Sequence, residues 1–454
     1  MRDAVLREFT LVNTAAVLGA DTPTRDVVFN SISTDTRTLQ AGALFIALRG
    51  PNFDGNTYVA AAAERGAVAA LVDRAVSSNI PTLQVSDTRL ALGALGAARR
   101  AAYQIPLVAV TGSNGKTSVK EMIGHILSEA GGNVLVTQGN LNNDLGVPQM
   151  LLRLTAQHTA AVIEMGANHL GEIAYLTQLA RPTVALINNA DAAHLEGFGS
   201  LDGVAQAKGE IYDGLGEHGI AIINANDRYA DYWRGLNRKR KMMTFGINVG
   251  ADVEARKVAS TAQGCQFELH TAQGSTPVQI GLLGQHNVMN ALAAGTAALA
   301  MGAHLADVAR GLASMTPVKG RLQAKRARQG ATVIDDTYNA NPASLRAGIQ
   351  VLKAFDGTRI LVLGDMGELG PDSAHLHADA GGEALAAGID KLFAVGKLSA
   401  AAVARFGAHA SHFADQAGLI AALADELKPG VTLLVKGSRS SRMENVVAAL
   451  LETA

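Results

Sequence analysis

The residues best suited to chemistry lie between Thr111 and Thr117, in the stretch Thr-Gly-Ser-Asn-Gly-Lys-Thr. An apolar run precedes this stretch and a helical pattern follows it, which predicts a strand-to-helix loop. Glycines let backbone amides approach phosphate oxygens, and a helix N-terminus favours negative charge. Lys116 would neutralise the β and γ phosphates of a nucleotide, and the Thr117 hydroxyl would bind magnesium. The predicted phosphate-binding residues are Thr111, Gly112, Ser113, Asn114, Gly115, Lys116 and Thr117.

The spacing of this loop differs from the usual P-loop. A glycine is expected five residues before Gly115, and Val110 occupies that position. The loop is therefore a shortened form. The structural alternative is an ordinary glycine-rich turn between a strand and a helix.

Three further charged or basic residues follow the phosphate loop, of which Glu164 could bind a metal. Glu164 ends an apolar run, and strand ends in a parallel sheet face the ligand crevice, where a carboxylate suits a hard cation. A helix-capping acid is the alternative for Glu164. His194 also follows an apolar run, and on its own it is as often a polar loop residue. Lys208 lies on a predicted helix, where a lone lysine is usually solvated.

The elements that position these residues fall into three zones, with limits at 1–104, 105–316 and 317–454. In the second zone, apolar runs alternate with helical patterns, which predicts a parallel sheet covered on both faces. These runs are Leu107–Val110, Val134–Thr137, Ala161–Glu164, Val184–Asn188 and Ile220–Asn224. The stretch 244–283 predicts an appended antiparallel piece. The third zone alternates in the same way and predicts a smaller doubly wound unit.

The composition narrows the class of protein. The chain has 454 residues, a formal net charge of −1 and 48% hydrophobic residues, so several cores can form and a nucleic-acid binder is disfavoured. Cys265 is the only cysteine, which excludes an intrachain disulfide and a cysteine-based zinc site. The first ten residues do not have a signal-peptide pattern, and no run approaches the ~20 apolar residues of a membrane span. A cytoplasmic protein without membrane insertion is expected.

An ordered series of motifs resembles the Mur ligase family over essentially the whole chain. The series begins with the phosphate loop. It continues through Gly139–Pro148, Glu164–Ala167, His194–Glu196, Ala207–Ile211, Gly284–Asn287, Lys319–Arg321, Asp335–Pro342, Gly364–Gly370 and Lys436–Arg439. The resemblance implies an α/β protein of three domains. These are a smaller N-terminal α/β domain for a UDP-linked substrate, a central P-loop ATPase-like parallel sheet, and a C-terminal Rossmann-like domain.

The resemblance also assigns roles to residues. It implies that Lys208 is carbamylated and binds magnesium together with Glu164, His194 and Thr117, with ATP and two Mg²⁺ ions as cofactors. The nucleotide would also contact Asn287, Asn290, Arg321 and Asp336. The substrate-binding residues implied are Ser33, Asp35, Arg37, Arg49, Asn142, Asn143 and Asn339. Asn56 stands where the family has histidine in Asp-Gly-His.

Within the family, Asp335–Pro342 is typical of members that add D-alanyl-D-alanine to UDP-N-acetylmuramoyl-tripeptide, and the Asp-Asn-Pro-Arg signature of diaminopimelate-adding members is absent. A plain strand-to-helix turn is the alternative for this stretch. The implied reaction passes through an acyl phosphate, with Lys116, Lys208, His194 and Glu164 as the catalytic set. A monomer is expected.

Three alternative functions remain at this point. The first is another Mur ligase or a folylpolyglutamate synthase, which would add glutamate or a diamino acid. The others are a P-loop ATPase that switches or moves a partner, and a non-catalytic binding protein.

Overall fold

The computed structural model describes residues 8–192 and 195–451. The first sheet has four parallel strands in the order β1-β2-β5-β6, and β3 and β4 form a short antiparallel hairpin. The elements of this region are α1 (Leu11–Leu18), β1 (Ser31–Ser33), β2 (Ala43–Ile46), β3 (Arg49–Gly50), β4 (Phe53–Asp54), α2 (Val59–Glu64), β5 (Ala69–Val72), β6 (Thr82–Gln84) and α3 (Thr88–Ala102).

The central sheet has nine strands, with its predicted apolar runs buried between helices on both faces. Its elements are β7 (Leu107–Thr111), α4 (Lys116–Glu129), β8 (Val134–Val136), α5 (Gly146–Leu152), β9 (Ala160–Glu164), α6 (Glu172–Ala180), β10 (Val184–Ile187), α7 (Leu195–Phe198), α8 (Leu201–Gly209), β11 (Ile220–Asn224), α9 (Ala230–Leu236), β12 (Lys241–Ile247), β13 (Val253–Thr261), β14 (Gly264–Thr271), β15 (Gly274–Ile280), α10 (Gln285–Ala300) and α11 (Leu305–Ala313).

The strand order of this sheet is β15-β14-β13-β12-β11-β10-β7-β9-β8. The prediction of an appended antiparallel piece over 244–283 is wrong at its N-terminal end. Strand β12 pairs in parallel with both β11 and β13, and only β13, β14 and β15 pair antiparallel. These hairpins continue the main sheet because β13 pairs directly with β12.

The third sheet has six strands in the order β16-β17-β21-β18-β19-β20, parallel except for β16. Its elements are β16 (Gln323–Arg326), β17 (Thr332–Asp336), α12 (Pro342–Lys353), β18 (Thr358–Gly364), α13 (Ser373–Ala386), β19 (Lys391–Val395), α14 (Ala400–Phe406), β20 (Ala410–Phe413), α15 (Gln416–Ala424), β21 (Val431–Lys436) and α16 (Glu444–Leu450). The α/β class with three sheets agrees with the prediction, and the limits 1–104, 105–316 and 317–454 stay a prediction.

Two buried arginines fasten the first region to the central one. Helix α3 packs on α5, and Arg99 donates from Nε to the Leu154 carbonyl at 2.8 Å. Arg100 donates from Nε to the Ala180 carbonyl at 2.8 Å, and both arginines are 6% exposed. Ala180 is the last residue of α6 and Leu154 follows the end of α5 by two residues, and a helix dipole favours a cation near such an end.

Among the described residues, no helix is long and apolar enough to cross a membrane.

Candidate active site

The predicted phosphate loop connects β7 to α4, as expected. Thr111, the last residue of β7, donates its hydroxyl to the Met165 carbonyl at 2.8 Å, which ties the loop to the end of β9. Gly115 has φ +79°, and a Cβ there would lie 2.5 Å from Asn188 Nδ2 and closer still to Asn290 Oδ1. Both the left-handed backbone and the crowding require glycine at this position.

Lys116 folds over the loop. Its ammonium donates to the Gly112 carbonyl at 2.7 Å and to the Ser113 carbonyl at 3.4 Å. Burial lowers the pKa of Lys116, and the nearby Glu164 carboxylate opposes this shift. The side chain therefore lies where it can meet phosphate oxygens held by the loop.

Polar residues that follow β10 hold the phosphate loop through hydrogen bonds, and the sequence did not predict this role. The backbone N–H of Asn114 donates to Asn189 Oδ1 at 2.8 Å, and the Ser113 hydroxyl donates to the Asp191 carbonyl at 2.9 Å. Asn188 contacts the Asn114 carbonyl through Nδ2 at 2.9 Å. The only signal in the sequence is a group of polar residues directly after β10.

Residues from the third region reach the loop across the domain boundary. Arg321 donates to the Thr117 hydroxyl at 3.0 Å, and Asn341 Nδ2 donates to Asn114 Oδ1 at 2.9 Å. The Arg321 guanidinium also lies 4.4 Å from the centre of the Tyr338 ring. The cleft between the two regions has a volume of about 340 Å³. Of the predicted residues, it is lined by Ser113, Asn114, Gly115, Lys116, Thr117, Asn142, Glu164, Asn287, Asn290, Arg321, Asp336 and Asn339.

Asp336 lies in this cleft as one half of a buried ion pair. Lys436, which is 2% exposed, donates to Asp336 Oδ2 at 2.6 Å and to the Asn339 carbonyl at 2.9 Å. The other carboxylate oxygen of Asp336 accepts from the Leu322 backbone N–H at 3.3 Å. The pair joins the ends of β17 and β21 beside the cleft.

Glu164 has the environment of a cation ligand. Its Oε1 accepts from Asn142 Nδ2 at 2.8 Å, whereas Oε2 is buried with no hydrogen-bond partner in the described chain. A buried carboxylate oxygen without a partner is costly unless a cation or donor satisfies it. Glu164 and Thr117 both line the cleft, so their hard oxygen atoms fit magnesium.

Lys208 lies on α8 and is 2% exposed, so it is not the solvated lysine that its sequence alone would suggest. Burial, followed by the nearby Lys116 charge, lowers the pKa of Lys208 to about 7. His194 lies outside the described residues. Within them, no group of three His, Cys, Asp or Glu side chains is placed to hold a metal ion.

Two predicted substrate residues have local roles. Asn143 Oδ1 accepts from the Gly146 backbone N–H at 2.9 Å at the start of α5. Asn339 Oδ1 accepts from the Ala340 backbone N–H at 2.9 Å. These contacts fix the backbone, and a substrate contact by either residue stays a prediction.

The four predicted residues of the first region, Ser33, Asp35, Arg37 and Arg49, do not line the cleft. Hydrogen bonds from Arg37 are the main cause that lowers the pKa of Asp35 to about 2. Arg49 pairs with Asp73 at 3.0 Å. Asn56 Nδ2 donates to the same Asp73 at 2.8 Å, so the residue that departs from the family pattern supports this pair.

A second cavity, of about 710 Å³, lies at the carboxyl ends of β17, β18 and β21 and shares Asn339 with the cleft. It contains two arginines, two glutamates and a group of serine hydroxyls. Its lining residues are Asn339, Gly367, Glu368, Ser438, Arg439, Ser440, Arg442 and Glu444. The motifs 364–370 and 436–439 are visible in the sequence, but the sequence does not show that they line one cavity.

Comparison with known families covers all three regions. The Mur ligase family catalytic domain matches residues 28–100, the Mur ligase middle domain matches 110–298, and the Mur ligase glutamate ligase domain matches 320–439. The chain is also 47% identical over 446 residues to the UDP-N-acetylmuramoyl-tripeptide–D-alanyl-D-alanine ligase of Escherichia coli (strain K12), with 98% of each chain covered. The chain belongs to the Mur ligase family. The resemblance predicted from the motifs is confirmed.

Other Mur ligases agree in sequence and fold. The enzyme of the same name from Haemophilus influenzae is 44% identical, with 94% of each chain covered. The crystal structure of MurF from Acinetobacter baumannii superposes with a TM-score of 0.93 at 40% identity, covering 98% of this chain and 99% of that one. MurF from Thermotoga maritima in complex with ADP gives 0.83 at 26% identity, covering 92% and 96%. The predicted fold is confirmed, and the chain is an ATP-dependent ligase.

Proposed function

We propose that this Mur ligase joins D-alanyl-D-alanine to UDP-N-acetylmuramoyl-tripeptide at the expense of ATP, a step of peptidoglycan synthesis. The observation that carries the proposal is the full-length identity of 47% to a ligase with this activity. The cleft supports it, because the phosphate loop and Arg321 from opposite domains meet there. A cytoplasmic monomer without nucleic-acid or membrane partners fits these small soluble substrates.

The chemistry must activate a carboxylate, because its oxygen is a poor leaving group at neutral pH. The γ-phosphoryl group of ATP moves to the terminal carboxylate of the tripeptide and forms an acyl phosphate and ADP. The amine of D-alanyl-D-alanine attacks the acyl carbon and loses a proton, and the tetrahedral intermediate releases inorganic phosphate. No side chain has to act as a covalent nucleophile.

The main task of the protein is to neutralise charge, because an anionic carboxylate must approach an anionic phosphate. The ammonium of Lys116 lies over the loop, and the Arg321 guanidinium approaches from the other domain. The Nε of Arg321 is buried without a hydrogen-bond partner in the described residues, so it remains able to donate to an oxyanion. Fixing the reactants in line adds an entropic contribution.

We assign the magnesium sites to Thr117, Glu164, His194 and a carbamylated Lys208. Bound there, the two cations would act as Lewis acids that withdraw negative charge from the phosphate oxygens. Carbamylation requires a neutral amine, because the nitrogen lone pair attacks carbon dioxide and a proton is released. The lowered pKa of Lys208, about 7, supplies such an amine near neutral pH.

The substrates are assigned to the two sides of the cleft. The UDP-linked tripeptide is placed with the first region and the loop before α5, through Ser33, Asp35, Arg37, Arg49, Asn142 and Asn143. The second cavity suits a zwitterionic dipeptide, because its lining carries charges of both signs that can meet a carboxylate and an ammonium. Two of these charges, Arg439 and Glu444, pair with each other at 3.3 Å. Asn339 lies between this cavity and the cleft that would hold the acyl phosphate.

An acceptor screen tests the proposal. Phosphate release is measured with UDP-N-acetylmuramoyl-tripeptide, ATP and, in turn, D-alanyl-D-alanine, D-glutamate, diaminopimelate or glutamate. Release that depends on D-alanyl-D-alanine, with a product larger by that dipeptide, is expected. Preference for another acceptor would indicate another Mur ligase or a folylpolyglutamate synthase. Strong hydrolysis of ATP without any acceptor would indicate an ATPase switch.

A further inference from the structure

Three side-chain amides form a continuous hydrogen-bonded chain beside the phosphate loop. Asn188 Nδ2 donates to the Asn114 carbonyl at 2.9 Å and to Asn290 Oδ1 at 2.8 Å. Asn290 Nδ2 donates to Asn287 Oδ1 at 3.0 Å. Asn287 Nδ2 donates to the Leu283 carbonyl at 2.8 Å. The chain therefore runs from the loop to Leu283, two residues before α10.

The orientation of each amide follows from the partners. A backbone carbonyl can only accept, so the nitrogens of Asn188 and Asn287 must face their carbonyls. The residues Asn188, Asn290 and Asn287 are 1%, 5% and 7% exposed, so water competes little for these bonds. Buried amide networks of this kind rigidify a structure when their bonds are made.

Asn188 is itself fixed to the central sheet. Its backbone N–H donates to the Thr111 carbonyl at 2.9 Å, and its carbonyl accepts from Asn224 Nδ2 at 2.8 Å. The side chain therefore extends from a rigid base to the loop. Because C=O and N–H of a trans peptide point in opposite directions, the bond to the Asn114 carbonyl aims the Gly115 N–H away from Asn188.

We propose that Asn188 is a positioning residue for nucleotide binding. Together with Asn189, whose Nδ2 donates to the same Asn114 carbonyl at 3.2 Å, it holds the loop in its phosphate-binding shape. Through Asn290 and Asn287, Asn188 alone couples that shape to the helix on the predicted adenine side. The inference rests on the proposed use of ATP and goes beyond it, because Asn188 has no expected contact with the nucleotide. The inference depends on the hydrogen-bonded chain of amides. The burial of Asn188 and its position after β10 would not be enough to assign this role.

The test measures binding of the non-hydrolysable analogue AMP-PNP by calorimetry. N188A should bind roughly tenfold more weakly, because two hydrogen bonds are lost. N188D has the same shape but no donor, and it adds negative charge near the phosphates, so its loss should be larger. The KM for UDP-N-acetylmuramoyl-tripeptide should not change, whereas the KM for ATP should rise in both variants.

N237A is the matched control. Asn237 is also a buried amide at 1% exposure, and its Nδ2 donates to the Trp233 carbonyl at 2.9 Å. N237A should lower the melting temperature without changing AMP-PNP affinity. Equal loss of affinity in N237A and N188A would show a general effect of destabilisation and would overturn the proposal.

A double-mutant cycle with N290A tests the coupling. If the amides act as one chain, the combined loss in N188A/N290A should be smaller than the product of the two single losses. A combined loss equal to that product would overturn the positioning role and leave the proposed function intact. Normal AMP-PNP binding by N188A, in a variant that still has ligase activity, would do the same. Failure of the unaltered protein to bind AMP-PNP would overturn the proposed function and this inference with it.

Discussion

At the scale of the residue, the cleft places cations around one small volume. Lys116 and Arg321 lie at the loop, and Lys436 is paired with Asp336 on the opposite wall. Lys436 is therefore already neutralised, whereas Lys116 donates hydrogen bonds to the backbone carbonyls of Gly112 and Ser113. This difference leaves Lys116, together with Arg321, available to a phosphate.

Replacing Lys116 with alanine should abolish turnover and leave the fold intact. The lost ammonium neutralises charge that the reaction brings together, and oxyanion-stabilising groups of this kind are worth about 10²–10³-fold or more in rate. Phosphate release and circular dichroism measure the two effects. K239A, at an exposed position, is the control. Near-normal ligation by K116A would contradict the assignment of the loop.

Replacing Lys208 with alanine should remove most activity, and added acetate should restore part of it. A short carboxylate can occupy the space of the missing carbamate and supply an oxygen ligand. Rates are measured with and without acetate, and K116A serves as a variant that acetate should not rescue. Full activity of K208A without acetate would disprove the carbamate.

The stability of the protein should depend on His286 under mildly acidic conditions. Burial lowers the pKa of His286 from 6.5 to about 4. Between these values the unfolded chain binds a proton that the folded chain does not, so stability falls as the pH decreases through this window. The free energy of unfolding in urea is compared between pH 7 and pH 4.5. The loss on acidification should be smaller in H286N, and an identical loss in both proteins would show that His286 does not contribute.

At the scale of the element, the unit formed by β7, the loop and α4 depends on one backbone conformation. G115A should lose nucleotide binding, because alanine disfavours φ +79° and its Cβ would enter the space of Asn188 and Asn290. AMP-PNP affinity and the melting temperature are measured together. G139A is a useful control, because Gly139 also has positive φ but nothing lies within 4 Å of an added Cβ. Equal behaviour of the two variants would mean that backbone strain, and not crowding by the amides, decides the effect.

The sequence predicted the buried strands well, because β7, β9, β10 and β11 are continuous apolar runs that end at polar residues. It predicted the phosphate loop from glycine spacing and Lys116. It did not predict that β13 joins the main sheet, because strand pairing depends on partners far apart in sequence. The sequence also did not predict the roles of Asn188, Asn189 and Asp191. A polar loop residue looks the same in the sequence whether or not its side chain contacts another loop. The second cavity also forms only when β17, β18 and β21 lie side by side.

At the scale of the whole molecule, the two domain junctions differ in kind. The first junction contains the buried Arg99 and Arg100, which bind carbonyls at helix ends. The cleft junction contains the bonds Arg321–Thr117 and Asn341–Asn114 between polar side chains. The first domain should therefore move with the central one, and opening should occur at the cleft.

R100A should destabilise the first junction by about 2–4 kcal/mol, because buried carbonyls lose a charged donor. The Ala180 and Arg181 carbonyls both accept from Arg100. Thermal unfolding and limited proteolysis measure the effect, with R238A as an exposed control. Unchanged melting of R100A would show that helix packing alone fastens this junction.

The hydrogen bonds that cross the cleft also bear on how nucleotides are exchanged between catalytic cycles. A closed cleft would protect the activated acid from hydrolysis, but it would equally retain ADP once the peptide bond has formed. The hydrogen bonds Arg321–Thr117 and Asn341–Asn114 connect the two walls of the cleft, so widening the cleft for nucleotide exchange would break both. The same two contacts that shelter the intermediate would therefore slow the exchange of ADP for ATP.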